Sequence, residues 1–215
     1  MRPFARRFAR RRLLASAATL LVLPLVARSP QAALSGAAAE SVVRRLVDQI
    51  WAMLGEGGLD EAEWRRLQPL LEAQTDLDLL ARLALGRHWR VATPAQLEEY
   101  RALYRRFLLR TLVGRLRHVG NAALGPQTER FQILASRPVG ERDVLVQTRV
   151  LPPDRPPLRV DWRLRERPSE PVIIDLIVEG ISLLVTQRSE FAAVLERAGM
   201  DGLLSELRTR VAEAA

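Results

Sequence analysis

The chain has 215 residues, 48% of them hydrophobic, and carries no cysteine. That length supports one domain with a sizeable core, and the missing cysteine excludes a disulfide framework, a thiolate metal site and a cysteine nucleophile. The formal net charge of +8 suggests nucleic acid or an anionic membrane as partner, but Arg2, Arg6, Arg7, Arg10, Arg11, Arg12 and Arg28 all precede Glu40, the first acidic residue. Without those seven charges the balance falls from +8 to +1, so the remainder of the chain is close to neutral.

The basic leader has the layout of a secretory signal. Arg2 to Arg12 is a basic n-region, and Leu13 to Val26 is an apolar run too short for a comfortable membrane span. Small residues follow: Ala37-Ala38-Ala39 offers a cleavage site before Glu40, and Ala32-Ala33 competes with it. The stretch "RRRLLAS", Arg10 to Ser16, also resembles a twin-arginine signal, so Sec and twin-arginine export both stay open. The expected division is a signal over 1–39 and a single domain over 40–215.

The next part of the chain reads as helix. Val43, Leu46, Val47, Ile50 and Leu54 recur at helical spacing between Ser41 and Leu54, and Gly55, Gly57 and Gly58 stop them. Leu59 to Leu71 and Asp76 to Leu85 are shorter candidates, the second ended by Gly86. The strongest signal starts at Thr93-Pro94, where Thr93 suits an N-cap, Pro94 the first helical position, and Gln96 completes a capping box. An apolar stripe from Leu97 through Tyr104, Phe107 and Leu108 to Leu112 carries this helix to about Val119. At about 1.5 Å per residue that is on the order of 35–40 Å, long enough to cross a sheet.

From Phe131 the period becomes two. Phe131, Ile133 and Ala135; Val144, Val146 and Val150; Leu158, Val160, Trp162 and Leu164; and Val172, Ile174, Leu176 and Val178 alternate with polar residues. Short turn-forming connections at Pro138-Val139-Gly140, Pro152-Pro153-Asp154 and Pro168-Ser169-Glu170 make these four strands an antiparallel meander with one covered face. Gly180 then permits a bend, so "ISLLV" is expected to continue as a separate strand segment. Ser189 to Ala198 and Asp201 to Val211 are expected as two helices joined at Gly199, with Asp201 capping the second. The fold class is α+β, a curved antiparallel sheet covered on one face by helices.

Little in the sequence carries chemistry. His88 and His118 are the whole imidazole supply, in no metal-binding pattern, and "GIS" at Gly180 to Ser182 lacks a nucleophile elbow. Asp175 and Glu179 could work as a carboxylate pair, but they alternate against Ile174, Leu176 and Val178 and are expected on the wet face. Arg159, Arg163 and Arg165, interrupted by Asp161, read as a solvated sheet face. No metal or cofactor is expected, and no catalytic residue. What remains is apolar surface, which periodicity alone assigns neither to a filled core nor to a ligand cavity.

Several stretches resemble the MlaC family, periplasmic phospholipid carriers of the bacterial Mla (maintenance of lipid asymmetry) system, also called toluene-tolerance auxiliary proteins. "VIIDLIVEGISLLVTQRSEFAAVLERAGMDGLLSELR", Val172 to Arg208, looks like that family's strand–EGVS–YRxEF–helix–GxxGLLxxLR signature. "LARLALGRHWRVATPAQLEEYRALYRRFLLRTL", Leu80 to Leu112, is similar to its LGRxW segment and long helix, and "LRVDWRLRE", Leu158 to Glu166, to the strand before the signature. Gln187-Arg188 replaces the usual aromatic–arginine pair, Pro171-Val172 an aromatic–lysine pair, and Thr111-Leu112 a Thr-Tyr.

The resemblance implies an NTF2-like domain in the periplasm, with a cavity for phospholipid acyl chains between sheet and helices. It implies no catalysed reaction, and shuttling between an outer-membrane lipoprotein complex and an inner-membrane ABC transporter complex. The acyl-contact candidates are the apolar sheet face and the facing helix stripe: Tyr104, Phe107, Leu108, Val144, Val146, Val160, Trp162, Ile174, Leu176 and Val178, with Leu183 and Val185 after the bend. Arg87 and Arg188 are candidates for the headgroup phosphate, or for ion pairs with Glu179 or Glu190. The competing readings are a small-molecule enzyme of the same build, using Asp175 or His88 as base, and an exported domain with a filled core that binds only partner proteins.

Overall fold

The change of period at Phe131 divides helices from sheet in the computed structural model, which describes residues 34–53, 61–120, 130–152 and 156–213. The expected leader falls outside these residues except for 34–39, as do the glycines at 55–58. Helices α1 (Gly36–Met53), α2 (Glu61–Gln74), α3 (Leu77–Leu85) and α4 (Pro94–Gly120) precede strands β1 (Phe131–Val139), β2 (Asp143–Val150), β3 (Leu158–Arg165), β4 (Val172–Val178) and β5 (Ile181–Ser182). A last helix, α5 (Leu183–Glu213), closes the chain.

Helix ends follow the local chemistry. Asp76 caps α3 by accepting the Leu79 N–H at 3.0 Å. The capping box of α4 is reciprocal: Thr93 Oγ1 accepts from Gln96 N at 3.2 Å, and Gln96 Oε1 accepts from Thr93 N at 3.1 Å. Helix α1 starts earlier than expected, because the Ser35 hydroxyl accepts the Ala38 N–H at 3.2 Å and brings the alanines of the expected cleavage site into the helix.

The five strands are antiparallel in the order β1-β2-β3-β4-β5. Pairing of Val144 with Leu164, Val146 with Trp162, Thr148 with Val160 and Val150 with Leu158 puts these residues on one inner face. Trp162 faces Leu176, and Val160 faces Val178. Between β3 and β4 the register shifts: Arg163 pairs with Asp175 but Leu164 with Ile173, leaving Ile174 as the extra residue. This bulge puts Ile173, rather than Ile174, on the inner face beside Leu164. Helix α1 packs on β1 and β2, and α5 on β4, whereas α4 packs chiefly on α3 and α5. The long helix therefore does not lie directly on the sheet as its length suggested. It is held off by its helical neighbours.

The outer face differs from the expected wet surface. Asp143 accepts from Arg163 Nη2 at 2.6 Å and from Arg165 Nε at 2.7 Å, and Asp161 accepts from Arg159 Nη2 at 2.7 Å. Both carboxylate side chains are only 4% exposed, covered by the arginine stems. Burial pushes the Asp143 carboxyl up, but the two guanidiniums outweigh it and hold the group below the usual carboxylate range.

The segment after Gly180 corrects a second expectation. Only Ile181 and Ser182 are strand, and Leu183 already begins α5. The Ser182 hydroxyl accepts the Val185 N–H at 3.0 Å and Asp175 Oδ1 accepts the Leu184 N–H at 3.0 Å, so the helix N-terminus is capped at once and "ISLLV" cannot continue as strand. The break at Gly199 is as expected, with φ 64. Asp201 accepts instead from Gln96 Nε2 of α4, at 2.8 Å.

Candidate functional site

Because α4 is held off the sheet, the two layers do not close completely. Between them lies a cavity of about 410 Å³, within the range of roughly 300–1,000 Å³ common for small-molecule sites. Its floor is the inner sheet face: Phe131, Val150, Leu158, Val160, Trp162, Ile173, Leu176 and Val178. Its roof is Leu46, Val47, Ile50 and Trp51 of α1, Leu71 of α2, Leu80 of α3, Tyr104, Leu108, Leu112 and Gly114 of α4, and Leu183, Leu184 and Gln187 of α5. Thr75 and Asp175 complete the wall.

The cavity occupies one end of the sandwich. Antiparallel pairing brings the start of β1, the end of β2, the start of β3 and the end of β4 to the same side, so Phe131, Val150, Leu158 and Val178 are neighbours there. Leu158, Val178, Leu184 and Trp51 are only half-buried and Gly114 is exposed, which marks this end as the opening. At the opposite end Val144, Val146 and Leu164 are at most 2% exposed and the space is filled.

The hydroxyls and the carboxylate on the wall are engaged by the protein. Tyr104 Oη donates to Gln187 Oε1 at 2.9 Å, and Thr75 Oγ1 donates to the Leu71 carbonyl at 2.6 Å. Burial raises the Tyr104 hydroxyl well above its ordinary value, with the Asp175 charge adding to it. Asp175 is buried as well, contrary to the expected wet position. Burial raises its carboxyl, while hydrogen bonds from Ser182 Oγ at 2.5 Å and from the Leu184 N–H lower it without cancelling the rise. Both carboxylate oxygens thus serve the β4–α5 corner. Trp162 Nε1 donates to Thr148 Oγ1 at 3.1 Å, so the indole presents hydrocarbon to the cavity.

Of the acyl-contact candidates, Tyr104, Leu108, Val160, Trp162, Leu176 and Val178 line the cavity, as does Leu183. Val144, Val146 and Ile174 do not, because they belong to the filled end or to the bulge. Phe107 turns away, packing on Phe191 at 5.9 Å between ring centroids with Arg210 over its own ring. Val185 is 61% exposed. Arg87 pairs with Glu196 at 3.2 Å rather than with Glu179 or Glu190, Arg188 lies beside Gly86, and neither lines the cavity. The contribution of α1 was missed, although its stripe of Leu46, Val47 and Ile50 was visible as a buried face. Which layer that face would meet was not.

A solved structure with a similar fold is the phospholipid-binding protein from Ralstonia solanacearum, determined in complex with a phospholipid. The TM-score is 0.67 at 24% identity, over 82% of this chain and 98% of that one. The MlaC protein family matches residues 44–209, from within α1 to near the end of α5. That span takes in every element around the cavity and most of the chain, which therefore belongs to the MlaC family.

Proposed function

We propose that this protein is a phospholipid carrier of the periplasm that encloses acyl chains in the cavity and catalyses no reaction. The observation that carries the reading is an apolar void, open at one end and walled almost wholly by hydrocarbon side chains. Hydrocarbon is the cargo such a surface prefers: each buried methylene contributes about 0.8 kcal/mol, so a whole acyl chain provides ample affinity without charged contacts. The phospholipid complex of the Ralstonia relative supports the same cargo.

Family membership supports shuttling between an outer-membrane lipoprotein complex and an inner-membrane ABC transporter complex. Export is part of this reading. Cleavage after Ala39 would remove the first turn of α1 together with a side chain that is 0% exposed. Cleavage after Ala33 leaves that turn whole, and we favour it. Native mass spectrometry of protein purified from cells tests the function. Co-purified phospholipid is expected, and protein that carries none and accepts none from vesicles would refute the carrier.

A further inference from the structure

We infer that Gln187 recognises the ester linkage of the cargo: its Nε2 donates to an acyl ester carbonyl just inside the rim of the cavity, so the protein distinguishes ester-linked from ether-linked lipids. The inference rests on the carrier reading and adds to it a residue that senses how the chains are joined to the headgroup.

Among the described residues the buried polar side chains are Asp143, Thr148, Asp161, Asp175 and Gln187. The first four are satisfied by the protein. Asp143 accepts from Arg163 and Arg165, Asp161 from Arg159, and Asp175 from Ser182 and the Leu184 N–H. Thr148 Oγ1 donates to the Val160 carbonyl and accepts from Trp162 Nε1. Gln187 is different. It is 6% exposed, and only its oxygen is used, accepting the Tyr104 hydroxyl at 2.9 Å. A phenol has one proton to donate, so this bond fixes the amide with Oε1 towards Tyr104. It leaves both N–H groups of Nε2 without an acceptor among the described residues. A buried donor left in that state is costly.

The void is the space in which this nitrogen can meet an acceptor. Gln187 lines the cavity, as do Leu183 and Leu184 in the preceding turn of α5. Leu184 is half-buried at the opening, and Gln187 lies three residues, about 4.5 Å, further along the helix and is buried, which puts the amide just inside the rim. Other donors of the wall are used or lie at the opening: Thr75 Oγ1 donates to the Leu71 carbonyl and Trp162 Nε1 to Thr148, while Trp51 is half-buried at the mouth. A trapped water needs about two to four polar partners, and with the hydroxyls and the carboxylate engaged the wall offers it few. A lipid brings an acceptor to this level by its construction. With its chains in the void and its headgroup in water, the ester groups that join them cross the rim. Among the described residues no arginine or lysine lines the cavity, whereas Asp175 does, so a phosphate or a free carboxylate there would lose its water beside an acidic group with no cation to offset the cost. The ester carbonyl accepts a hydrogen bond without bringing a charge.

The test offers the delipidated full chain vesicles holding equal amounts of a diester phosphatidylglycerol and its diether analogue with chains of the same length. Bound lipid is counted by mass spectrometry. Wild type should retain the diester form about tenfold over the diether, because the diether strands the amide donor. In Q187L the ratio should fall to near one, since no donor is left to strand. Y104F/Q187L, which also removes the hydroxyl that Q187L deprives of its acceptor, should give the same ratio and serves if the single variant folds poorly; circular dichroism checks the fold of both. Equal retention of the two lipids by wild type, or a diester preference that survives in a folded variant, would overturn the ester assignment while leaving the carrier standing. A wild-type chain that takes up neither lipid would remove the carrier reading itself.

Discussion

Val160 and Val146 occupy neighbouring strands on the same inner face, yet only Val160 borders the void. Replacing each in turn by phenylalanine asks whether that void is real. Val146 is 0% exposed at the filled end, and overpacking there should cost about 1–3 kcal/mol, or roughly 2–12 °C in Tm for a domain of this size. Val160→Phe places its extra atoms, about four carbons, into empty space. It should leave the delipidated protein as stable as wild type or more so. The same four carbons take room from the acyl chain. At about 0.8 kcal/mol per methylene the loss is about 3 kcal/mol, near a hundredfold in retention. Urea unfolding of delipidated protein reads the first quantity, and native mass spectrometry of lipid bound after vesicle exposure reads the second. Equal destabilisation by both substitutions, with lipid retention untouched in Val160→Phe, would refute the cavity.

Two of the buried carboxylates, Asp175 and Asp143, should respond oppositely to pH. Asp175 is raised from 3.8 by burial, so the folded state holds its proton more tightly. The stability of wild type relative to Asp175→Asn should therefore increase as pH falls through the folded value towards 3.8, and decrease again as pH rises. Chemical denaturation between acid and neutral pH checks this, and wild type gaining stability over the variant as pH rises would contradict it. Asp143 is held below 3.8 by Arg163 and Arg165 after burial is overcome, so its contribution is present above 3.8 and lost as pH falls through the lowered value. Asp143→Asn should cost about 1.5–3 kcal/mol at neutral pH by stranding two guanidiniums, and denaturant midpoints should show little difference from wild type in strong acid.

Much of this architecture could be read from residue order. The Thr93–Gln96 box, the alternation from Phe131 onward and the break at Gly199 each depend on local chemistry, and local chemistry is written in the sequence. The misplaced residues depend on how elements meet. Ile174 was assigned to the inner face because strict alternation has no place for an inserted residue, and the bulge opposite Arg163 and Leu164 arises only when β3 and β4 pair. Asp161 and Asp175 were expected in water, and Asp143 drew no expectation, because a carboxylate's burial is decided by its partners. Those partners lie on a neighbouring strand for Asp143, two residues along the same strand for Asp161, and at a helix N-terminus for Asp175. The cavity had the same obstacle. Its residues are ordinary core residues, and only the packing of α4 on α3 and α5 leaves Tyr104 and Leu108 facing a gap.

Placing the gap at one end of the sheet separates two demands that a single core would set against each other. Val144, Val146 and Leu164 can be tuned for cohesion while Val178, Leu158 and Leu184 drift to suit longer, shorter or more branched cargo. Mutational tolerance should thus run as a gradient along the strands, strict where the layers meet and permissive towards the opening. A family built this way can diversify its passengers without relearning how to fold.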